Sequence, residues 1–308
     1  MNSLHPSAQP QEEERTNQQV PIFLSVVVPC YNEKDAIEIT VLTVVRELSH
    51  IPGLEIVVVD DGSVDGTGEI LDRLARVVKP LRVIRHTGNR GYGAALKSGI
   101  RSSCGRFLAM VDADGTYPIM RIPDLLDLGT NGADMVVGAR IGKDVTYSKL
   151  RAFPKIFMRW FCVWVTRRPI PDINSGLRVF KRDLVERFLP YLPDTFSFTT
   201  TVTIAFMTHG YRVDYVPIAY SPRVGTSKIS PVKDTLRFLQ LIIRTGLYFA
   251  PLRVFAPVII LLWASFVAAI GFDIVAKNLS DKTVILLTLS VNVTILALLA
   301  DMIDKRLK

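Results

Sequence analysis

The chain has 308 residues, with 37 Lys and Arg against 29 Asp and Glu and a net charge of +8. That length allows one large domain or a domain with an appendage, and the basic balance suits anionic partners such as nucleic acid, acidic lipid or a phosphorylated substrate. Its three cysteines, Cys30, Cys104 and Cys162, lie far apart and form no Cys-x-x-Cys pair, which argues against zinc and a disulfide framework and fits reduced, cytosolic thiols.

Residues 1–20 are polar, contain Glu12-Glu13-Glu14 and lack an apolar core, so they read as a disordered tail and not as a signal peptide. Strands and helices then alternate. Ile22–Val28 is a near-continuous apolar run, as for a strand buried on both faces. Asp35–Leu48 has helical spacing at Ile37, Val41, Val44 and Leu48. A strand over Ile56–Val59, a helix over Glu69–Val78, a strand over Leu81–Ile84 and a helix over Tyr92–Arg101 follow. Phe107–Val111 is the next strand, Ile122–Leu128 the next helix and Met135–Val137 another strand. This alternation predicts an α/β fold with a mostly parallel sheet and right-handed crossovers.

Beyond Arg140 the pattern is less regular. Tyr147–Val165 interleaves basic and aromatic residues, which suits either an amphipathic helix at a membrane surface or an ordinary packed helix with its basic residues in water. Pro231–Tyr248 places Lys233, Arg237, Gln240 and Arg244 on one helical face and Val232, Leu236, Leu239 and Ile243 on another, the pattern of an interfacial helix. Val254–Val275 and Thr283–Ala300 are apolar runs near the roughly 20 residues that cross a bilayer core. They read as a transmembrane hairpin. Lys228, Lys233, Arg237, Arg244 and Arg253 precede the first run and Lys305, Arg306 and Lys308 follow the second, whereas only Lys277 and Lys282 lie between. That bias predicts a cytoplasmic location for both termini.

Polar groups collect where the predicted strands end. The first leads into Pro29-Cys30-Tyr31-Asn32-Glu33, the second into Asp60-Asp61-Gly62-Ser63, and the third into Gly88-Asn89-Arg90-Gly91-Tyr92-Gly93. The fourth ends Asp112-Ala113-Asp114. Parallel sheets bind ligands beyond the carboxyl ends of their strands. Two carboxylates spaced by one residue there suit a divalent cation holding a diphosphate, although Asp and Gly are also ordinary turn formers. The Gly91–Ala94 helix start is expected to offer N–H groups to a phosphate. No Gly-x-Gly-x-x-Gly follows the first strand and no Walker loop is present, which argues against a dinucleotide-binding or P-loop domain.

Val-Val-Pro-Cys-Tyr-Asn-Glu (27–33), Val-Asp-Asp-Gly-Ser-Val-Asp-Gly-Thr (59–67), Asn-Arg-Gly-Tyr-Gly-Ala-Ala-Leu (89–96) and Asp-Ala-Asp-Gly (112–115) resemble the family 2 glycosyltransferases of the GT-A fold. Val-Gly-Ala-Arg (137–140) and Asp-Ile-Asn-Ser-Gly-Leu-Arg (172–178) resemble the polyprenyl-phosphate hexose synthases of the dolichyl-phosphate mannose synthase group. The resemblance implies a tail over 1–20, a GT-A catalytic domain over 21–228, an interfacial juxtamembrane helix over 229–253, a two-helix transmembrane hairpin over 254–303 and a basic cytoplasmic tail over 304–308. It assigns the nucleotide-sugar to Pro29, Tyr31, Asn32, Glu33, Val59, Asp60, Asp61, Asn89, Gly91, Ala113, Arg223 and Lys228 with the Asp112–Asp114 pair. It assigns Mg²⁺ or Mn²⁺ to Asp112 and Asp114, and the lipid phosphate to Arg140, Ser175 and Arg178. Arg223, Ser227 and Lys228 resemble a basic loop that closes over the donor, one residue short of the usual pattern. Thr116 stands where many members carry a glutamine that helps the metal.

The activity implied is inverting transfer of one hexose from a GDP- or UDP-linked sugar to a polyprenyl phosphate at the cytoplasmic face of a bilayer. The acceptor phosphate is already anionic, so no strong general base is required; His5, His50, His86 and His209 fit none of the motifs. Nucleic acid is not an expected partner, because much of the basic excess flanks the predicted spans. Pairing of copies through the hairpin agrees with the resemblance. Two alternatives remain at this point. One is a processive polysaccharide synthase, whose usual Gln-x-x-Arg-Trp is here broken by Ile156 before Arg159-Trp160. The other is a membrane-anchored scaffold that has lost catalysis.

Overall fold

The computed structural model of the chain describes residues 21–141, 160–219, 240 and 243–306. The expected N-terminal tail, most of Tyr147–Val165 and of Pro231–Tyr248, and the loop carrying Arg223, Ser227 and Lys228 lie outside the described residues.

The first half alternates as the periodicities predict: β1 (Leu24–Cys30), α1 (Ile37–Leu48), β2 (Leu54–Asp60), α2 (Thr67–Val77), β3 (Leu81–Arg85), α3 (Tyr92–Ser102), β4 (Phe107–Met110), α4 (Ile122–Thr130) and β5 (Met135–Ala139). Every residue of β1 is buried, because helices cover both sheet faces. Successive strand side chains point to opposite faces. Val26 and Val28 therefore pack with Val41 and Val44 of α1, while Val27 packs with Leu96 and Ile100 of α3.

The second half adds β6 (Arg178–Lys181), α5 (Arg182–Phe188), α6 (Phe198–Thr208) and β7 (Val213–Pro217), which the periodicities do not reveal. The first has too few residues for alternation to register. The sequence Phe-Thr-Thr-Thr-Val-Thr of α6 favours a strand by β-branching. Burial overrides that preference, and the Thr203 hydroxyl donates to the Thr199 carbonyl one turn back, 2.7 Å away. The helical residues 160–166, the described end of the basic-aromatic stretch, pack on α6: Phe161, Cys162 and Val165 are buried against Ile204 and Met207. Trp160 stays exposed.

The strands form one seven-stranded sheet in the order β3-β2-β1-β4-β6-β5-β7. Only β6 runs antiparallel, to both its neighbours. From β1 the chain winds one way through β2 and β3, and then returns to place β4 on the other side of β1. That reversal opens a crevice beyond the carboxyl ends of β1 and β4. The reversed β6 starts at this same edge, with Arg178 in register with Met110 and Val137. The segment 172–177 is thereby delivered to the crevice as well.

The opposite edge is tied by Glu55. Its carboxylate accepts from the Ser25 hydroxyl at 2.5 Å, the Cys104 N–H at 2.9 Å and Arg82 Nη2 at 2.7 Å. The Ser25 hydroxyl oxygen in turn accepts from the Gly105 N–H.

Two 26-residue helices, α7 (Pro251–Ala276) and α8 (Asp281–Arg306), complete the described chain. They are long and apolar enough to cross a membrane. A hairpin buried in a protein core would cover its apolar surface; here Val258, Ile260, Leu261, Phe272, Ile285, Leu296 and Leu299 are exposed, which fits a lipid environment. The polar interruptions near the turn are structural. Asp273 accepts from the Ser280 N–H at 2.8 Å and hydroxyl at 3.0 Å, closing the turn between the helices. Trp263 Nε1 donates to Thr294 Oγ1 across the hairpin at 3.2 Å.

Replacing Glu55 with alanine strands the Ser25 hydroxyl and the Cys104 N–H; the expected loss is on the order of 2 kcal/mol, read as a lower midpoint in chemical unfolding.

Candidate active site

The crevice is built by loops that hold one another. Asn32, after β1, has the left-handed φ of +54°. Its N–H donates to Ser63 Oγ and its Oδ1 accepts from the Val64 N–H, both at 2.9 Å. The Glu33 N–H donates to Thr67 Oγ1 at 3.0 Å. Tyr31 is 38% exposed beside this junction. Cys30 ends β1 and is not a nucleophile: burial, with Asp60 and Glu33 nearby, pushes its thiol well above the usual range.

The two aspartates that end β2 turn inward. Asp60 is buried; it accepts from the Ser63 N–H at 2.9 Å and lies 3.8 Å from Arg85 Nε. Asp61 is also buried, and both its oxygens serve the next loop. It accepts from the Arg90 and Gly91 N–H groups at 2.9 and 2.8 Å and pairs with His86 Nδ1 at 2.6 Å. The pair expected to grip a nucleoside thus also holds the loops around it. A buried carboxylate must be satisfied by donors, and here the donors are the turn that leads into α3. His86, which fits no sequence motif, belongs to this network through Asp61 and Ser98. Pro29 and Val59 are likewise buried, in register with each other, and form the floor. Asn89 is exposed at the rim.

The start of α3, expected to offer N–H groups to a phosphate, is partly engaged within the protein. The Gly91 N–H goes to Asp61 and the Ala94 N–H to the Asp194 carbonyl at 3.2 Å. The 193–195 backbone lies so close that a Cβ on Gly93 would fall 2.2 Å from the Pro193 oxygen. These glycines admit a crossing chain.

Asp112 and Asp114 follow β4 at the switch point. Ala113 between them is buried, and its carbonyl accepts from Thr40 Oγ1 of α1 at 2.9 Å. With that residue anchored inward, both carboxylates lie half-buried on the crevice side. Asp114 Oδ1 accepts from the Thr116 hydroxyl at 2.7 Å and N–H at 3.2 Å. Thr116, buried, thus orients a carboxylate. Asp112 Oδ1 accepts from the Tyr92 hydroxyl at 2.7 Å. Burial, and then the charge of Asp112, hold the Tyr92 phenol well above its usual range, so it stays a donor. The same two causes push Tyr117 up to about 12, and its oxygen accepts from the Gly176 N–H at 2.7 Å.

Arg140, following β5, is held by Asp172: Nε donates to Oδ2 at 2.7 Å, Nη2 to Oδ1 at 3.0 Å, and the backbone N–H to Oδ2 at 3.1 Å. Ser175 and Arg178 are fully buried. Ser175 Oγ donates to the Gly138 carbonyl at 2.5 Å. Arg178 donates from Nε to the Ser175 carbonyl, from Nη2 to the Ile173 carbonyl and from Nη1 to Thr203 Oγ1, at 2.8, 2.8 and 2.6 Å. Both side chains, expected at the lipid phosphate, are engaged in shaping the 172–177 loop. The signal missed in the sequence is the helix partner. A threonine four residues from another, Thr199 and Thr203, supplies the hydroxyl that receives Arg178.

The described residues contain no cluster of three or more His, Cys, Asp or Glu side chains able to enclose a metal. The Asp112–Asp114 pair is a donor set of two hard carboxylates. It suits a Mg²⁺- or Mn²⁺-type ion that keeps waters and shares a ligand's phosphate oxygens.

Fold and site together define a glycosyltransferase of the GT-A type: a mostly parallel sheet, a switch-point crevice and a carboxylate pair at its lip. The chain belongs to glycosyl transferase family 2, whose profile it matches over residues 25–189. It is 31% identical over 217 residues to polyprenol monophosphomannose synthase of Mycolicibacterium smegmatis, covering 67% of this chain and 80% of that one. It is 30% identical over 211 residues to dolichyl-phosphate hexose transferase of Haloferax volcanii, covering 68% and 87%. Among solved structures, glucosyl-3-phosphoglycerate synthase of Mycobacterium tuberculosis, in complex with Mn²⁺, UDP and glucosyl-3-phosphoglycerate, superposes with a TM-score of 0.55 at 18% identity, over 73% of this chain and 80% of that one. That likeness bears on the fold.

Burial alone would raise the Asp172 carboxyl, but the hydrogen bond and charge of Arg140 outweigh it and hold the group below the usual carboxylate range. A folded value below the unfolded one, about 3.9, stabilises the protein above that pH and is lost as pH falls through the folded value. Asp172→Asn is accordingly expected to melt below wild type at pH 7, with the gap in Tm narrowing as pH is taken below about 4.

Proposed function

We propose that this protein moves one hexose from a GDP- or UDP-linked sugar to the phosphate of a polyprenyl phosphate, with inversion at the anomeric carbon, on the cytoplasmic face of a membrane. The observation that carries this reading is the half-buried Asp112–Asp114 pair at the β1/β4 switch point. It is supported by relatives whose names specify polyprenyl or dolichyl phosphate sugar transfer, and by fold neighbours solved with UDP and Mn²⁺ or Mg²⁺.

A phosphate oxygen of the acceptor forms the new bond to the sugar carbon. The bond from that carbon to the donor diphosphate breaks, and its electron pair leaves with the nucleoside diphosphate. A divalent cation at Asp112 and Asp114, when bound, neutralises the charge that grows on the leaving diphosphate. Tyr31, Asn32 and Glu33 lie at the nucleoside end of the crevice. Arg140, which Asp172 holds through Nε and Nη2, follows β5 at the crevice, where a guanidinium suits a phosphate. The lipid phosphate is assigned to Arg140, Ser175 and Arg178, the last two through the loop they hold. Arg223, Ser227 and Lys228 retain the donor-closing role the resemblance implies. The α7–α8 hairpin keeps the crevice beside the bilayer that supplies the acceptor, and the Lys and Arg bias supports cytoplasmic termini.

Membranes containing the protein, incubated with polyprenyl phosphate and a panel of nucleotide-sugars, are expected to yield a glycolipid whose mass equals the lipid phosphate plus one hexose. A polymer, or free sugar alone, would contradict the proposal. Asp112→Ala and Asp114→Ala are each expected to cut turnover by about 100-fold or more, with circular dichroism unchanged. Arg140→Ala is expected to raise the KM for polyprenyl phosphate more than that for the donor; an equal rise in both would remove it from the acceptor site.

A further inference from the structure

We propose that Tyr92 is the positioning residue for the cation-holding carboxylate Asp112, with Phe196 as the support of its ring. The inference rests on the reading of Asp112 and Asp114 as a cation site.

Tyr92 is the first residue of α3, and the helix start is immobilised from both sides. Asp61 holds the Gly91 N–H and the 193–195 backbone packs on Gly91 and Gly93. From this fixed point the hydroxyl reaches Asp112 Oδ1 at 2.7 Å. The ring stacks on Phe196, with centroids 5.1 Å apart and planes 17° from parallel. Phe196 is 79% exposed and lends its ring face to Tyr92. The other side of the carboxylate is closed by Gly176, where a Cβ would lie 2.6 Å from Asp112 Oδ2 and 2.7 Å from Oδ1. The Asp112 carboxylate is therefore clasped between a phenol and a bare Cα.

One consequence concerns which ion is accepted. A carboxylate whose Oδ1 receives an O–H donor is biased against gripping a cation through both oxygens. Mg²⁺-sized ions take single carboxylate oxygens in a strict octahedron, whereas Ca²⁺ accepts bidentate carboxylates in a larger, looser shell. Tyr92 thus favours the smaller ion.

The test uses the full chain in detergent and Mn²⁺ alone, with bound and free Mn²⁺ separated by electron paramagnetic resonance and Ca²⁺ added as competitor. Tyr92→Phe keeps the ring and its stacking and removes only the hydroxyl. It is expected to weaken Mn²⁺ binding about tenfold, to let Ca²⁺ displace Mn²⁺ at a lower Ca²⁺:Mn²⁺ ratio than in wild type, and to leave Tm unchanged. Added to Asp112→Asn it is expected to cause no further loss. Phe196→Ala, which leaves Tyr92 in place, is expected to weaken Mn²⁺ binding by a smaller factor in the same direction. Wild-type Mn²⁺ affinity and ion preference in Tyr92→Phe would overturn the positioning role, as would a full additional loss in the double variant. Failure of the wild-type chain to bind Mn²⁺ in an Asp112-dependent way would instead overturn the cation site itself.

Discussion

Four carboxylates, Asp60, Asp61, Asp112 and Asp114, arrive at one edge of one sheet, and satisfying that concentration of negative charge organises everything around it. Ions buried without partners are costly. The two that end β2 are buried, and they are met by Arg85, by His86 and by the N–H groups of Ser63, Arg90 and Gly91. The two that follow β4 accept from the Tyr92 hydroxyl and from the Thr116 hydroxyl and N–H, and these carboxylates stay half-exposed. The first pair is thereby engaged in building loops. The second keeps its charge at the crevice, which is where a cation and a diphosphate can use it.

The far wall of the crevice solves the opposite problem. Among the described residues Arg178 is the largest fully buried side chain, and burial lowers its pKa from the usual arginine value while nearby Tyr215 and Asp172 act to raise it. Its guanidinium is accommodated by two carbonyls and a threonine hydroxyl. Because those carbonyls belong to residues 173 and 175, the buried cation fixes the loop that carries Asp172, and Asp172 fixes Arg140. One buried guanidinium thus sets the orientation of a half-buried one at the site.

The membrane enters through topology. After β7 the chain passes into two helices whose exposed residues are apolar and whose internal polar contacts close a short turn. Such an exposed apolar surface fits membrane association.

The amino-acid sequence by itself determined the alternating first half, the carboxylate pair and the apolar hairpin. These are local properties: side-chain period, two charges spaced by one residue, and unbroken apolar runs. β6, α6 and β7 were not legible, because a four-residue strand and a threonine-rich helix carry weak or contrary local preferences that only packing overrides. The roles of the site residues divide in the same way. That Asp112 and Asp114 sit at a strand end could be read from the chain. That Asp61 faces inward, that 193–195 occupies the start of α3, and that Ser175 and Arg178 are buried could not. Each depends on which segment, remote in sequence, supplies the donor or fills the space. Tertiary structure decided those contacts, for the physical reason that a polar group's role depends on the partner that satisfies it.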